Sequence, residues 1–422
     1  MENNKEIIFQ EKHKIIHKNS SPKISICFNQ ISEFGAHLFL ITGSTQSLLF
    51  YTNKENENFT LFSRFRNYEN LPFSLGKNLT KGIFICPSSN ESLSKYQDIL
   101  IALGGEEPNI QIVSITEKKV INVLSRHKEE ITSIIYWNSN IEIQFKNNKK
   151  LKAKDTLLSC SKEGVICLWD LCSMQLSYYL DLDKLDDQLK HKFLSQNIFF
   201  TSICWIEYNN PKLNKDKVSL NNPKSSDTEN IISKSYFVTG DSYGQLILWN
   251  TDFFTFSSDS KISPEIQLQL ENPIQNLHWI QKNLVLFSSF DSIYIWDVFK
   301  KQLKFKQKIY QEEKSDFDCL KTIGLSFDHK FLSIQTSPFI VTIFELIFQK
   351  EKKLSESNQK FHFQKNESLN KMKLEIFIKK KFDIFLEKKF SDNFVSSAFS
   401  LDGNELVICC QRSAKHFEKK LN

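Results

Sequence analysis

The sequence predicts an all-β fold built from repeated four-stranded units, with long polar insertions. Three observations lead to this prediction. A segment of strand, turn and strand recurs along the chain, and a strand with alternating side chains precedes most of the copies. The 40% of hydrophobic residues and 13% of aromatic residues suffice for a buried core. The apolar runs lack the longer period that helices need, so the repeat is expected to be made of β-strands.

The recurring segment is clearest where its second strand ends in Trp followed by Asp or Asn. These clear copies lie at 157–170, 237–250 and 284–297. Their strands are apolar and β-branched, and small or polar residues supply the turn, as in a buried β-hairpin. Trp169, Trp249 and Trp296 end the second strands, where each ring can cover the side of a sheet. Asp170 and Asp297 are expected to form the turn to the next strand.

Four weaker copies extend the array to seven. They lie at 38–51, 99–115, 331–346 and 406–417. In the Trp position, the second copy carries Val113 and the sixth carries Phe344, while Tyr51 lies near it in the first. Seven repeats of about 40 to 45 residues need about 300 residues, so the excess is assigned to insertions. The Trp-Asp endings resemble those of WD40 repeats, which implies a seven-bladed WD40 β-propeller with long polar insertions.

The blade boundaries follow from the copies and from the alternating strands that precede them, such as 131–136 and 274–279 with its terminal Trp279. We assign residues 1–23 to an N-terminal extension and 24–422 to the propeller. The approximate blades are 24–68, 79–124, 129–180, 198–260, 270–308, 318–350 and 382–418. The insertions are 138–155, 208–235 and 350–373, which are rich in Lys, Asn and Ser.

Charge and cysteine usage restrict the classes of function. The 55 Lys and Arg residues against 49 Asp and Glu give a formal charge of +6, but the charges are spread along the chain, so direct nucleic-acid binding is not expected. No apolar stretch has membrane-spanning length and the first residues carry charges throughout, so we expect a soluble intracellular protein without membrane contact. The nine cysteines fall mostly in apolar runs, which is typical of free thiols in a reducing compartment.

The chain carries no sequence motif for catalysis, such as a Gly-rich phosphate loop, a G-x-S-x-G elbow or an H-E-x-x-H helix. We therefore expect a protein that is not an enzyme and needs no cofactor. Cys167 and Cys172 lack a second correctly spaced Cys or His pair, so no metal site is predicted. His127 precedes the third blade, where WD40 repeats usually carry a His that forms a hydrogen bond within its own blade, and we predict that structural role.

Within the WD40 proteins, the chain resembles the embryonic ectoderm development / extra sex combs family, the WD40 subunit of Polycomb repressive complex 2. Residues 99–133 resemble a second blade without Trp, and 157–176 resemble the following blade with its S-x-S-K segment and Leu-Trp pair. Residues 274–296 resemble a compressed blade in which Trp279 and Trp296 lie unusually close in sequence. The resemblance covers the middle of the chain.

This resemblance implies a nuclear scaffold that binds a helix of a SET-domain methyltransferase, and a reader of trimethylated lysine on the histone H3 tail. The reader depends on an aromatic cage. The positions that match the cage are Thr80, Leu124 and Thr322, and none is aromatic. We therefore expect scaffolding of a Polycomb-like histone H3 lysine methyltransferase complex in chromatin, without methyl-lysine binding. The alternative is a WD40 adaptor for ribosome biogenesis, ubiquitin ligation or trafficking.

Overall fold

The computed structural model describes most of the predicted repeats. The described residues are 7–16, 25–28, 38–42, 46–52, 59–66, 78–87, 100–137, 139, 142–144, 150–206, 236–251, 261–262, 264, 266–309, 323–337, 340–350, 374–385, 394–400, 404–410 and 413–421. Thr322, the predicted insertion 208–235 and residues 351–373 of the last insertion lie outside them.

The described chain is mostly β and contains seven four-stranded antiparallel sheets. A first strand, β1 (Ile7–Ile16), precedes sheet 1, which contains β2 (Ser25–Phe28), β3 (Leu38–Thr42), β4 (Gln46–Thr52) and β5 (Phe59–Arg66). Sheet 2 contains β6 (Leu79–Ile85), β7 (Leu100–Gly105), β8 (Asn109–Ser114) and β9 (Lys119–Ser125). Sheet 3 contains β10 (Ile131–Tyr136), β13 (Thr156–Ser161), β14 (Ile166–Asp170) and β15 (Gln175–Leu180), and β11 (Glu142–Gln144) and β12 (Lys150–Lys152) form a separate hairpin.

The later sheets follow the same chain order. Sheet 4 contains β16 (Phe200–Ile206), β17 (Tyr236–Asp241), β18 (Gln245–Asn250) and β19 (Ile266–Gln269). Sheet 5 contains β20 (Ile274–Gln281), β21 (Leu284–Ser289), β22 (Ser292–Asp297) and β23 (Gln302–Lys308). Sheet 6 contains β24 (Ile323–Leu325), β25 (Phe331–Ser337), β26 (Ile340–Lys350) and β27 (Leu374–Phe385). Sheet 7 contains β28 (Phe394–Phe399), β29 (Glu405–Cys410) and β30 (Ser413–Leu421).

The fourth strand of sheet 7 is β1, which pairs with β30 along its length. Thus the predicted N-terminal extension 1–23 contains a strand of the last sheet. The ammonium of Lys415, which is 5% exposed, lies 2.9 Å from the carboxylate of Glu11 across this pair. A similar difference concerns β27, which pairs with β26 and belongs to sheet 6, although the predicted boundaries place residues 382–385 in the seventh blade.

The first strands of neighbouring sheets lie against each other. Contacts run from β28 through β2, β6, β10 and β16 to β20, and β24 contacts β28. Thr132 and Thr201 occupy bulges in β10 and β16. The Thr132 hydroxyl donates to the Phe200 carbonyl at 2.6 Å, and the Thr201 hydroxyl donates to the Ile274 carbonyl at 2.5 Å. These two hydroxyls therefore link sheet 3 to sheet 4 and sheet 4 to sheet 5.

The buried apolar side chains form clusters between successive sheets. Trp169 lies in the cluster between sheets 2 and 3, Trp249 between sheets 3 and 4, and Trp296 between sheets 4 and 5. Each of these rings is at most 1% exposed. Further clusters join sheets 1 and 2, sheets 5 and 6, and sheets 6 and 7. The described core is therefore divided among the spaces between sheets.

Two short connections add to the core between sheets 3 and 4. The hairpin β11–β12 and a 3-10 turn at Ala153–Asp155 lie inside the predicted insertion 138–155, and they bury Ile143 and Ala153. After β15 and a second 3-10 turn at Leu182–Lys184 comes the helix α1 (Asp187–Ser195). The Asp186 carboxylate caps it by accepting a hydrogen bond from the Leu189 amide at 2.9 Å. The helix buries one face against the same cluster.

Candidate functional site: an aromatic-lined cavity

A cavity of about 520 Å³ lies at the ends of the first strands, where each strand leads towards the second strand of its sheet. Side chains from β6, β10, β16, β20 and β24, and from the residues that follow β10 and β24, line it. The rings in its wall belong to Tyr136, Trp137, Trp205, Trp279, Phe327, His278 and His329. Five separate sheets therefore contribute to one site.

The register of the sheets explains why rings from different repeats meet here. Tyr136 pairs with Leu157, Trp205 with Phe237 and Trp279 with Val285. Each of these partners in turn pairs with the Trp of its own repeat. Tyr136, Trp205 and Trp279 are thus the same position of three consecutive repeats, and Leu325 is that position in sheet 6. The presence of an aromatic residue at this position in three consecutive repeats is the sequence signal that points to the site, and this position was not predicted to form a binding site.

The rings are held in place by contacts with each other and with the backbone. The centroids of Trp137 and Trp205 are 5.3 Å apart with an interplanar angle of 30°. Trp279 meets His329 edge to face at 5.7 Å, and its indole N–H donates to the Lys282 carbonyl at 2.9 Å. The Tyr136 hydroxyl donates to the Cys86 carbonyl at 2.8 Å. The wall is therefore formed before any ligand binds.

The ordered part of the insertion after β10 forms one rim of the cavity. Trp137 directly follows β10, and its carbonyl accepts a hydrogen bond from the Ser139 amide at 2.8 Å. The Ser139 carbonyl in turn accepts from the Lys154 amide at 2.9 Å. Trp137 also packs against the core cluster that contains Ile143. The insertion thus fixes the position of one of the cavity's three Trp rings.

The described wall of the cavity carries no Asp, Glu, Lys or Arg side chain. Burial lowers the pKa of His278 to about 4, against the opposing effect of a hydrogen bond with the Ile323 backbone. Burial also lowers the pKa of His329, although the nearby Asp328 carboxylate acts in the opposite direction. Both imidazoles are therefore neutral at pH 7, and the part of the wall that the structure describes is uncharged.

His127 belongs to a separate buried network in sheet 3. The Trp169 indole N–H donates to the Ser159 hydroxyl at 2.9 Å, and the Ser159 oxygen lies 2.8 Å from Nε2 of His127. Nδ1 of His127 lies 3.1 Å from the Glu163 carboxylate. A Ser-His-Glu series resembles a nucleophile with its base, but Ser159 is 0% exposed, so a substrate cannot reach its hydroxyl. The network holds the hairpin of sheet 3 together.

The electrostatics of this network follow from its hydrogen bonds. Burial alone would raise the pKa of Glu163, but the hydrogen bonds from His127, from the Lys128 amide and from the Ser161 hydroxyl lower it below its usual value. Glu163 is therefore ionised at neutral pH and favours the tautomer in which Nδ1 of His127 carries the proton. Nε2 then accepts from the Ser159 hydroxyl.

The other repeats carry only part of this network. The Trp249 indole N–H donates to the Thr239 hydroxyl at 2.8 Å. In sheet 5, Phe287 occupies the register position of Ser159 and Thr239, and the indole N–H of Trp296 has no acceptor among the described residues. A buried indole N–H without an acceptor is costly, and the apolar contacts of Trp296 offset it.

The two predicted turn-forming aspartates accept hydrogen bonds from the backbone. The Asp170 carboxylate accepts from the amides of Cys172 at 2.9 Å and Ser173 at 3.3 Å. The Asp297 carboxylate accepts from the Lys300 amide at 3.1 Å and from the Asn283 side chain. Each carboxylate therefore orders the turn that leads to the fourth strand of its sheet.

The two predicted cage positions that the structure describes are absent from the wall of the aromatic-lined cavity. Thr80 occupies a bulge in β6 and is 3% exposed, and Leu124 on β9 is 2% exposed within the cluster between sheets 2 and 3. Thr322, the third position, is outside the described residues. The structure thus brings neither described position to the site, whereas it brings Trp279 there, although the repeat pattern predicts a purely structural role for this residue.

No protein-family model matches the chain, and no curated protein matches it. Within the described residues, His, Cys, Asp and Glu side chains form no group of three or more that could hold a metal ion. The described cysteines form no disulfide. The helices in the described ranges are too short or too polar to traverse a bilayer.

Proposed function

We propose that the chain is a seven-bladed β-propeller of the WD40 type that acts as a non-catalytic scaffold for a protein complex. The observation that carries the proposal is the sequence in which the first strands contact one another from sheet to sheet, together with the completion of sheet 7 by β1. Seven four-stranded sheets in this order, with the chain ends paired in one sheet, fit a propeller whose first strands surround a central channel. The aromatic-lined cavity is then one mouth of this channel.

Binding is the activity that the cavity wall favours. Aromatic side chains are enriched in protein interfaces, where they supply a large contact area at a low entropic cost. The wall carries three Trp rings, held in place before binding and partly exposed at Trp137 and Trp279. A preorganised wall of this kind loses little conformational entropy when a partner binds.

The narrower proposal is a subunit of a Polycomb-like histone H3 lysine methyltransferase complex, which binds a helix of a SET-domain subunit in the nucleus. It depends on the resemblance in residues 99–133, 157–176 and 274–296. Recognition of trimethyl-lysine is not part of the proposal, since Thr80 and Leu124 are buried and not aromatic. The alternative is an adaptor for ribosome biogenesis, ubiquitin ligation or trafficking.

Affinity purification of the tagged full-length chain from its source cells, followed by mass spectrometry, tests both levels of the proposal. We expect stoichiometric recovery of a SET-domain methyltransferase. Ribosome-assembly factors, ubiquitin-ligase subunits or trafficking proteins in its place would contradict the narrower proposal and retain the scaffold. If the chain is recovered without any stoichiometric protein partner, the scaffold proposal is wrong.

A further inference from the structure

We propose that the aromatic-lined cavity binds one aromatic side chain, Trp or Phe, of an extended segment in a partner protein. This inference rests on the proposed function, because it names the kind of partner that the scaffold binds at this mouth. Three properties of the cavity carry it, namely the charge of its wall, the arrangement of its rings and its volume.

The charge of the wall selects against ionised ligands. None of the described lining residues is Asp, Glu, Lys or Arg, and burial keeps both imidazoles neutral at pH 7. A charged group that leaves water for such a site loses its hydration and gains no ion pair in return. A neutral aromatic side chain is transferred out of water favourably, because the apolar area that it buries contributes to binding.

The rings of the wall suit a planar partner. Aromatic rings pack in offset or edge-to-face arrangements with centroids about 4.5–7 Å apart. Trp137 and Trp205 already pack in this range, as do Trp279 and His329, so their remaining faces and edges can receive another ring. Trp205 is 6% exposed, whereas Trp137 and Trp279 are only partly buried and offer the accessible rings.

The volume of the cavity matches a side chain together with its flanking backbone. At about 520 Å³ the cavity lies inside the range of about 300–1,000 Å³ that binds small ligands. Phe327, which is 55% exposed, stands at the wall and can close over an inserted ring. An anchor residue in a pocket, surrounded by weaker contacts, is the usual arrangement of a binding hot spot.

Quaternary ammonium groups are the main competing ligands, because aromatic faces also attract them. Such cations occur on trimethylated lysine side chains. A direct comparison of neutral and cationic probes therefore decides between the two chemistries. N-acetyl-tryptophan amide and N-acetyl-trimethyl-lysine amide are suitable probes, since each presents one side chain on the same blocked backbone.

The first experiment selects peptides from a random 12-residue phage-displayed library on the full-length chain. We expect the selected peptides to share one Trp or Phe, whose replacement by Ala weakens binding at least tenfold in fluorescence anisotropy. Phe327→Ala should weaken the binding of the same peptides at least tenfold. Phe385→Ala is the matched control, since Phe385 is 71% exposed on β27 and is absent from the described cavity wall, so its removal should leave affinity unchanged.

The second experiment measures both blocked amino acids by saturation-transfer NMR on the native chain and on Phe327→Ala. We expect a signal from the tryptophan probe that Phe327→Ala reduces, and a weaker signal from the trimethyl-lysine probe. Trp279→Leu provides a second cavity variant, with circular dichroism to verify its fold. Should Phe327→Ala fail to fold, Trp279→Leu alone decides the result.

Three outcomes would overturn the inference. The first is that the selected peptides, or the tryptophan probe, bind the cavity variants as well as they bind the native chain. The second is tighter cavity-dependent binding of the trimethyl-lysine probe. The third is a library that yields no ligand, together with a silent tryptophan probe. None of these outcomes contradicts the scaffold proposal, which fails only if the purification recovers no stoichiometric partner.

Discussion

Replacement of Ser159 by Ala should destabilise the protein far more than the loss of one hydroxyl suggests. The Ser159 oxygen accepts from the Trp169 indole at 2.9 Å and lies 2.8 Å from Nε2 of His127. Ser159 is 0% exposed, Trp169 1% and His127 5%, so water cannot replace the lost partner. Ser159→Ala therefore leaves two buried polar atoms, the indole nitrogen of Trp169 and Nε2 of His127, without this hydrogen-bond partner.

The expected cost follows from the number of groups left unpaired. Each unsatisfied buried polar group costs about 1–3 kcal/mol, so Ser159→Ala should lower the free energy of unfolding by about 2–6 kcal/mol. Thr239→Val in sheet 4 keeps the shape of the side chain and removes only the acceptor of the Trp249 indole N–H. It should therefore lower the free energy of unfolding by about 1–3 kcal/mol. Ser125→Ala on the exposed outer face of β9 is the control and should change stability by less than about 0.5 kcal/mol.

Urea unfolding followed by far-ultraviolet circular dichroism measures these differences, with comparison of m-values to check that the unfolding transition is unchanged. A double variant isolates the indole contribution. Trp169→Phe removes the N–H, so Ser159→Ala should cost less in that background than in the native chain. An equal cost in both backgrounds, or a cost of Ser159→Ala no larger than that of Ser125→Ala, would refute the role that we assign to the network.

Three further changes test other parts of the fold. Burial raises the pKa of Asp241 to about 6, so the free energy of unfolding of the native protein falls as pH rises from about 4 to 6. Asp241→Asn keeps the acceptor for the Gln245 amide, so the free energy of unfolding of this variant, relative to that of the native chain, should rise across this window by at most about 3 kcal/mol. A difference in thermal unfolding that stays constant between pH 4 and 6 would contradict the assignment. Thr132→Val and Thr201→Val should each lower the free energy of unfolding by about 1–2 kcal/mol in urea titrations, because they break the links between sheets; costs equal to that of Ser125→Ala would show that the links are weak. Deletion of residues 1–16 should expose the edge of β30, leave the buried Lys415 ammonium without Glu11, and cause aggregation seen by light scattering, whereas deletion of residues 1–5 should not.

The sequence predicted the hairpins well because their information is local. A short strand, a turn and a Trp-Asp ending are contained in about 14 residues, and the pairing of Leu157 with Trp169 follows directly from them. The same pattern located the weaker copies, such as Val113 opposite Ile101. The coarse prediction of an all-β chain with repeated four-stranded sheets is confirmed.

Pairings that join distant segments were not predictable by the same reasoning. β1 lies at the start of the chain and pairs with β30 at its end, and its sequence contains no turn that would point to that partner. β27 is separated from β26 by residues 351–373, and the predicted boundaries place only its last residues, 382–385, in a blade, which is the seventh. In both cases the partner is chosen by the position of a free sheet edge, which depends on the assembled fold.

The site was missed for a different reason. The sequence pattern predicts Trp279 to be a structural residue at the end of an inner strand. Trp296 is buried in the core between sheets 4 and 5, whereas Trp279 is only partly buried, packs against that core and also lines the cavity. Residues between neighbouring sheets must be apolar and closely packed in every repeat. This requirement produces the recurring strand-turn-strand pattern on which the fold prediction depends. A position near the end of the first strand lines the cavity in sheets 3 to 6. Its side chains also pack in or against the clusters between sheets, so the sequence pattern does not separate a role at the cavity from a role in packing.

Repetition also explains how few residues are needed to build such a site. The first strands of neighbouring sheets lie side by side. Aromatic residues at the same register position of consecutive repeats therefore lie near one another. Tyr136, Trp205 and Trp279 meet this condition, and the ordered insertion adds Trp137 beside them. Three of the seven rings in the described wall therefore occupy one position of the repeat, and we expect a change at that position to alter what the cavity binds without a change in the fold.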